Sequence, residues 1–194
     1  MKKSYYENNK GFSLIELIAI IAIMSVAIGA ISLSVSLVNG SEAKKAFQKI
    51  EAQLDEVKTG AMSRYDESMK VQYFTKDETN GRDSDGFYVV KEIKTITTGS
   101  GSTPVAERVI GSEQRRICDS RVEITLTTSS GSVTLNPDGS NNFVISYDRA
   151  TGLFKSAKVD GTDVGIPSRL ECKSGLRTYR MDFIEETGKH VRVE

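Results

Sequence analysis

The stretch Lys10-Gly11-Phe12-Ser13-Leu14-Ile15-Glu16-Leu17-Ile18 opens an apolar run that continues to Val38, and its reading decides the fold. The 27 residues from Phe12 to Val38 carry one ionisable side chain, Glu16. As a helix they extend about 40 Å, against roughly 30 Å of hydrocarbon in a bilayer. A carboxylate held in such a run is costly, which marks Glu16 as a functional residue. Ahead of the run stands a short basic leader, with Lys2, Lys3 and Lys10 against Glu7.

Two plainer explanations account for less. A secretory signal has a basic start and an apolar core, but that core is usually about 7 to 15 residues long and ends in a small-residue cleavage site. A single-pass anchor explains the length and, through the positive-inside rule, the flanking lysines. It has no use for Gly11 followed by a glutamate inside the apolar run.

Residues 10 to 18 resemble the amino-terminal signature of type IV pilins and of the related pseudopilins of type II secretion and competence systems. Those families have a short basic leader, a glycine, usually a phenylalanine, and a glutamate early in the mature chain, which Lys10, Gly11, Phe12 and Glu16 reproduce. The resemblance covers residues 1 to about 40. It implies a prepilin peptidase that cuts between Gly11 and Phe12 and methylates the new amino group of Phe12. It also implies a mature subunit that joins other pilin or pseudopilin subunits in a helical filament, with Glu16 acting in assembly. Before assembly such a chain is a single-pass protein of the cytoplasmic membrane, amino terminus inside and domain outside; afterwards it belongs to a periplasmic or cell-surface filament. Many major pilins have a proline about twenty residues into the mature helix, where this chain has Leu33, and no proline precedes Pro104. That departure points to a minor pilin or pseudopilin, a priming or tip subunit, over an abundant shaft subunit. Gly29, Ser32, Ser34, Ser36 and Gly40 would still weaken the helix there.

The chain is expected to divide into a leader, 1–11; a transmembrane or filament-core helix, 12–38; an amphipathic helix, 39–70; and an extracytoplasmic β-rich domain, 71–194. With 194 residues there is no room for two independent cores. Lys plus Arg equals Asp plus Glu at 26 each, so overall charge gives no footprint for nucleic acid. From Ser41 to about Met69 the pattern is helical, with Ala43, Phe47, Ile50, Leu54, Val57, Ala61 and Tyr65 on one stripe that needs a surface to cover. Gly60 marks a bend or an early end. Beyond it the period becomes two: Val122, Ile124 and Leu126; Phe143, Ile145 and Tyr147; Tyr179, Met181 and Phe183. Gly86 to Thr97 also reads as a strand. Hairpin turns are expected at Ser129-Ser130-Gly131, Asp148 to Gly152 and Glu186-Thr187-Gly188, and surface loops at Thr97–Pro104 and Asp160–Ser168. The fold class is α+β, a long amino-terminal helix whose second half packs on an antiparallel sheet, which is also what the pilin resemblance implies.

The two cysteines, Cys118 and Cys172, both fall in the exported part. An oxidising compartment favours a bridge closing about 55 residues, for which chain entropy gives on the order of 4 kcal/mol. The other reading is a pair of reduced thiols buried as small apolar residues. Two cysteines and the single His190 supply too few soft ligands for zinc, so no metal and no cofactor are expected. His190 reads as an exposed or edge-strand residue. Asp83-Ser84-Asp85-Gly86 and Asp160-Gly161-Thr162-Asp163 read as turns and not as calcium loops. With no phosphate loop, nucleophile elbow or paired metal-binding histidines, the chain is not expected to be an enzyme. A rival to the filament subunit is a membrane-mounted domain that binds a ligand as an adhesin.

Overall fold

A computed structural model describes residues 13–63, 66–98 and 104–193, with the side chains of 30–39, 95–98 and 104–110 excepted. The chain separates into two compact units, Met1–Leu37 and Val38–Glu194. A single helix, α1, runs from Leu14 to Ser63.

In the second unit the amphipathic stripe does what its spacing demands. Ala43, Phe47, Ile50, Leu54, Val57 and Ala61 are all buried, joined by Ala46, which the stripe omitted. Tyr65 lies outside the described residues. Gly60 does not end the helix, which runs on to Ser63, where the Ser63 hydroxyl donates to the Gly60 carbonyl. The helix nonetheless stops short of Met69, correcting the reading to residue 70: Asp66–Phe74 is strand β1. Met69 and Val71 are buried while the intervening Lys70 is half-buried, and that alternation belongs to a strand.

Two antiparallel sheets follow. The first has the order β3-β2-β1-β6-β7-β8 and the second β11-β10-β9-β4-β5. In chain order these are β2 (Gly86–Thr98), β3 (Pro104–Cys118), β4 (Glu123–Thr128), β5 (Gly131–Thr134), β6 (Asn142–Ser146), β7 (Lys158–Val159), β8 (Thr162–Asp163), β9 (Pro167–Ser174), β10 (Arg177–Ile184) and β11 (Lys189–Val193). The expected alternating residues are the core: Val122, Ile124, Leu126, Phe143, Ile145, Tyr147, Met181 and Phe183 are buried, with Tyr179 packed against them. β3 starts on Pro104 at the edge of its sheet, a position that loses nothing by lacking an N–H. The expected loop at Asp160–Ser168 is partly strand, since it contains β8 and the start of β9.

One apolar cluster joins the helix stripe to residues of both sheets. Aromatic contacts knit it: Phe47 lies 6.1 Å from Tyr179 between ring centroids, and Phe154 stands edge-on to Phe183 at 5.0 Å. The helix is also tied to the sheets by polar contacts. Lys49 Nζ donates to the Arg116 carbonyl at 3.0 Å, Lys58 Nζ to the Gly188 carbonyl at 2.7 Å, and Arg192 forks onto the Glu51 carboxylate at 2.8 and 2.6 Å.

Candidate functional site

Gly11 and Phe12, the expected processing site, lie outside the described residues, and the described chain begins one residue later. Ser13 starts the helix. Its hydroxyl accepts from the Ile15 N–H at 3.2 Å, and the Glu16 carboxylate reaches back to accept from the Ser13 N–H at 2.9 Å. The Ser13 carbonyl takes the first helical bond, from the Leu17 N–H at 3.2 Å. This is the reciprocal cap that a Ser-x-x-Glu spacing permits, satisfying two donors that a helix start leaves without partners. The carboxylate also stands at the positive end of the helix dipole. Glu16 thus has a local partner that the reading of lone intramembrane charge overlooked. The signal was present as Ser13-Leu14-Ile15-Glu16 directly before an apolar run.

Behind the cap the helix is apolar around its circumference. Leu14 is 79% exposed and Val26 74%, with Ile15, Leu17, Ile18, Ile21, Ile23, Met24 and Ile28 also open. Ser25 keeps the surface apolar by donating its hydroxyl to the Ile21 carbonyl at 2.8 Å. Large apolar side chains on every side need lipid or other helices around them. Among the described residues no helix is long and apolar enough to cross a membrane. The side chains described at this end run from Ser13 to Gly29, about 24 Å of helix, whereas the apolar sequence continues to Val38.

In the second unit the two cysteines stand as free thiols and both are buried. Cys118 ends β3 beside Phe87, and Cys172 sits in β9 between Ile124 and Tyr179. Burial pushes the Cys118 thiol up to about 12, with Asp119 adding to it. Burial likewise raises the Cys172 thiol, and the neighbouring Cys118 adds to that shift. Such thiols pack as small apolar groups and are poor nucleophiles. His190 lies on the edge strand β11, as expected, but its side chain is largely covered, 3.7 Å from Asp55. Asp85 and Asp160 spend carboxylate oxygens on turn geometry: Asp85 accepts from the Lys76 N–H, and Asp160 from the backbone and side-chain amides of Asn142. Among the described residues no three His, Cys, Asp or Glu side chains are grouped to hold a metal ion.

A charged cluster between α1 and the first sheet was not foreseen. Lys91 of β2 pairs with Glu56 of the helix at 2.7 Å and lies 3.7 Å from Glu67 of β1, while Arg115 reaches Glu56 at 3.3 Å and Glu113 at 2.7 Å. Glu56 is held below the usual carboxylate range, chiefly by the Lys91 hydrogen bond. Glu67 is only 7% exposed, and one of its oxygens has no hydrogen-bond partner. Burial raises its pKa, an effect the Lys91 charge only partly offsets. Gly60 makes room for it: a Cβ at that position would stand 2.0 Å from Glu67 Oε2.

No curated protein and no solved structure matches the chain. Residues 7–32 match the family model for the prokaryotic N-terminal methylation motif, a span that takes in Gly11, Phe12, the Ser13–Glu16 cap and the exposed apolar turns after it. The chain therefore carries the amino-terminal methylation motif that is the signature of type IV pilins and pseudopilins.

Proposed function

We propose that this chain is a minor subunit, priming or capping, of a type IV pilus-like filament. In this account a prepilin peptidase removes residues 1–11 and methylates Phe12, and the mature chain leaves the cytoplasmic membrane by packing its apolar helix among those of sibling subunits. The observation that carries the reading is the methylation motif at residues 7–32, within which the helical turns from Leu14 to Ile28 expose large apolar side chains on all sides. A helix with that surface is stable in lipid, and in a bundle of like helices it exchanges lipid contacts for helix contacts. The chain's contribution is structural and not catalytic. Leu33, in place of a proline, supports the minor assignment.

In this account Glu16 has two successive tasks. In the precursor it caps its own helix through the Ser13 N–H. After cleavage it also stands near the free amino group of Phe12, on its own chain or on a neighbour, and one charge offsets the other. Intact mass and a sheared-filament assay test the scheme together. Gly11→Val is expected to leave the leader attached. Glu16→Ala is expected to allow leader removal but to lower incorporation by about tenfold or more, the factor that each 1.4 kcal/mol represents. A native subunit that still begins at Met1 in cells with active peptidase would overturn the processing step, and unchanged incorporation of Glu16→Ala would overturn its role in assembly.

A further inference from the structure

Leu176 is 94% exposed, more than any other large apolar side chain among the described residues, those of the apolar turns included. It stands at the tip of the hairpin between β9 and β10, a two-residue turn in which Ser174 is opposite Arg177 and Gly175 has φ +59°. Such turns call for glycine and small polar residues, so nothing in the turn itself asks for leucine. The tip is also held in place. The buried Ser174 hydroxyl donates to the Arg121 carbonyl at 3.1 Å, and Arg177 lies against α1 at Gly40, where an added Cβ would stand 2.9 Å from the Arg177 Cγ.

Gly40 sits close to the end of the apolar run. That run ends at Val38, the first residue of the same compact unit, so Gly40 is about 3 Å of helix beyond it. A polar headgroup layer adds roughly 5 to 7 Å on each side of the hydrocarbon. The hairpin tip, level with Gly40, therefore stands at the depth of that layer. Two cations share this end of the unit. Arg177 and Lys44, the latter one helical turn beyond Gly40 and beside Thr178 in the groove between α1 and β10, are both exposed. Neither side chain has an ion pair or a hydrogen bond among the described residues. The charges around them cancel in pairs: Lys45 with Glu42, Arg121 with Asp119 and Lys173 with Glu123. Side chains on a helix lean toward its amino-terminal end, so Lys44 leans back toward the apolar run.

We propose that this end of the exported domain docks on anionic phospholipid headgroups at the outer surface of the membrane that holds the anchor. Leu176 enters the interfacial layer as an apolar wedge, and Arg177 and Lys44 pair with the lipid phosphates beside it. The contact rests on the reading of residues 12–38 as a membrane anchor. It keeps the domain of the unassembled subunit at the membrane surface until the subunit moves into a filament.

The chain contains no tryptophan, so Leu176→Trp places a single fluorescent reporter at the tip. Full-length protein carrying it is reconstituted in vesicles of phosphatidylethanolamine with phosphatidylglycerol, or of phosphatidylcholine alone, each with a quencher attached near the lipid headgroup. Quenching is expected in the anionic vesicles and much less in the neutral ones. A reporter at Met62→Trp, about 33 Å further along α1 than Gly40, is expected to escape it. Beside the tip reporter, Arg177→Gln and Lys44→Gln are each expected to lower the ratio of docked to free domain about fivefold, the weight of one basic residue at an anionic surface. Lys76→Gln, a lysine paired with Glu78 in the loop after β1, should leave the ratio unchanged. Because tryptophan itself favours interfaces, amide hydrogen exchange of the native chain is followed in parallel, and residues 175–177 should exchange more slowly in the anionic vesicles. Protein that floats with the vesicles but leaves the tip unquenched, or is quenched equally in neutral lipid, would overturn the docking and leave the anchor standing. Protein that fails to float once detergent is removed would overturn the anchor and the docking with it. A tip shielded from water yet not reached by the lipid quencher would place a neighbouring copy over Leu176 and overturn lipid as its partner.

Discussion

Replacing Gly60 by alanine isolates the contact between the helix and the buried acid of β1. In an open helix interior the change stabilises by about 1 kcal/mol, the difference in intrinsic preference between the two residues. Here the added methyl would stand 2.0, 2.2 and 2.5 Å from the three atoms of the Glu67 carboxyl group. That group cannot swing into water without leaving its buried place 3.7 Å from Lys91. Crowding of this kind costs about 1 to 3 kcal/mol, so Gly60→Ala in the native chain should range from neutral to about 2 kcal/mol destabilising. In a Glu67→Ala background the obstruction is gone, Lys91 keeps Glu56 at 2.7 Å, and the same change should stabilise by about 1 kcal/mol. The coupling between the positions is then about 1 to 3 kcal/mol, large for a pair seven residues apart if both were in helix. Thermal unfolding of the four proteins, followed by near-ultraviolet circular dichroism of the sheet domain, reads it as a change of sign, with roughly 2 to 4 °C for each kcal/mol. Equal shifts in the two backgrounds would refute the assignment of Gly60 as the space for Glu67.

Glu67 also sets a pH dependence. Its folded pKa is raised, so its contribution to stability is full below the ordinary glutamate range and is lost as pH climbs through the raised value; Glu67→Gln should gain on the native protein with rising pH, and a difference that stays flat would refute this. For the cysteines, a thiol pushed up to about 12 has on the order of a thousandfold less thiolate than an ordinary one, so native Cys118 should resist a disulfide reagent at pH 8 until the chain unfolds. An intact mass 2 Da below that of the dithiol, about the weight of two hydrogens, would show a bridge instead. Tyr147 is buried with its hydroxyl unpartnered, so Tyr147→Phe should be neutral or stabilising by up to about 1 kcal/mol, and a clear loss of melting temperature would refute that placement.

The parts of this fold that could be read from the chain are those in which one face is apolar and the other is not. Ala43 to Ala61 and the triplets at Val122, Phe143 and Met181 meet that condition, and each lies where its period puts it. β1 hid because its core side begins with Glu67, a charge where an apolar residue would have revealed the strand. β3 hid for the opposite reason: as an edge strand it shows Glu113, Arg115 and Arg116 to solvent and has little alternation to detect. The ionic cluster joins Lys91 to a helix residue 35 positions earlier, a distance over which no local pattern carries information. At the amino terminus the case is different. The cap between Ser13 and Glu16 is local and legible, but the unusual presence of a carboxylate in an apolar run drew the reading away from the neighbour it bonds.

The contacts between α1 and the sheets also decide how the domain would bear load. A pull along the helix axis meets Lys49 on the end of β3, Glu51 on Arg192 of β11 and Lys58 on the turn between β10 and β11. These attachments are spaced along the helix and engage strands of both sheets, so sliding the helix by one turn must break all of them together with the buried stripe from Ala43 to Ala61. Shear across parallel attachments resists far more force than peeling them one at a time. The domain would therefore stay folded on its helix under axial tension and give way most readily to a sideways tug that lifts one end of the helix from the sheets.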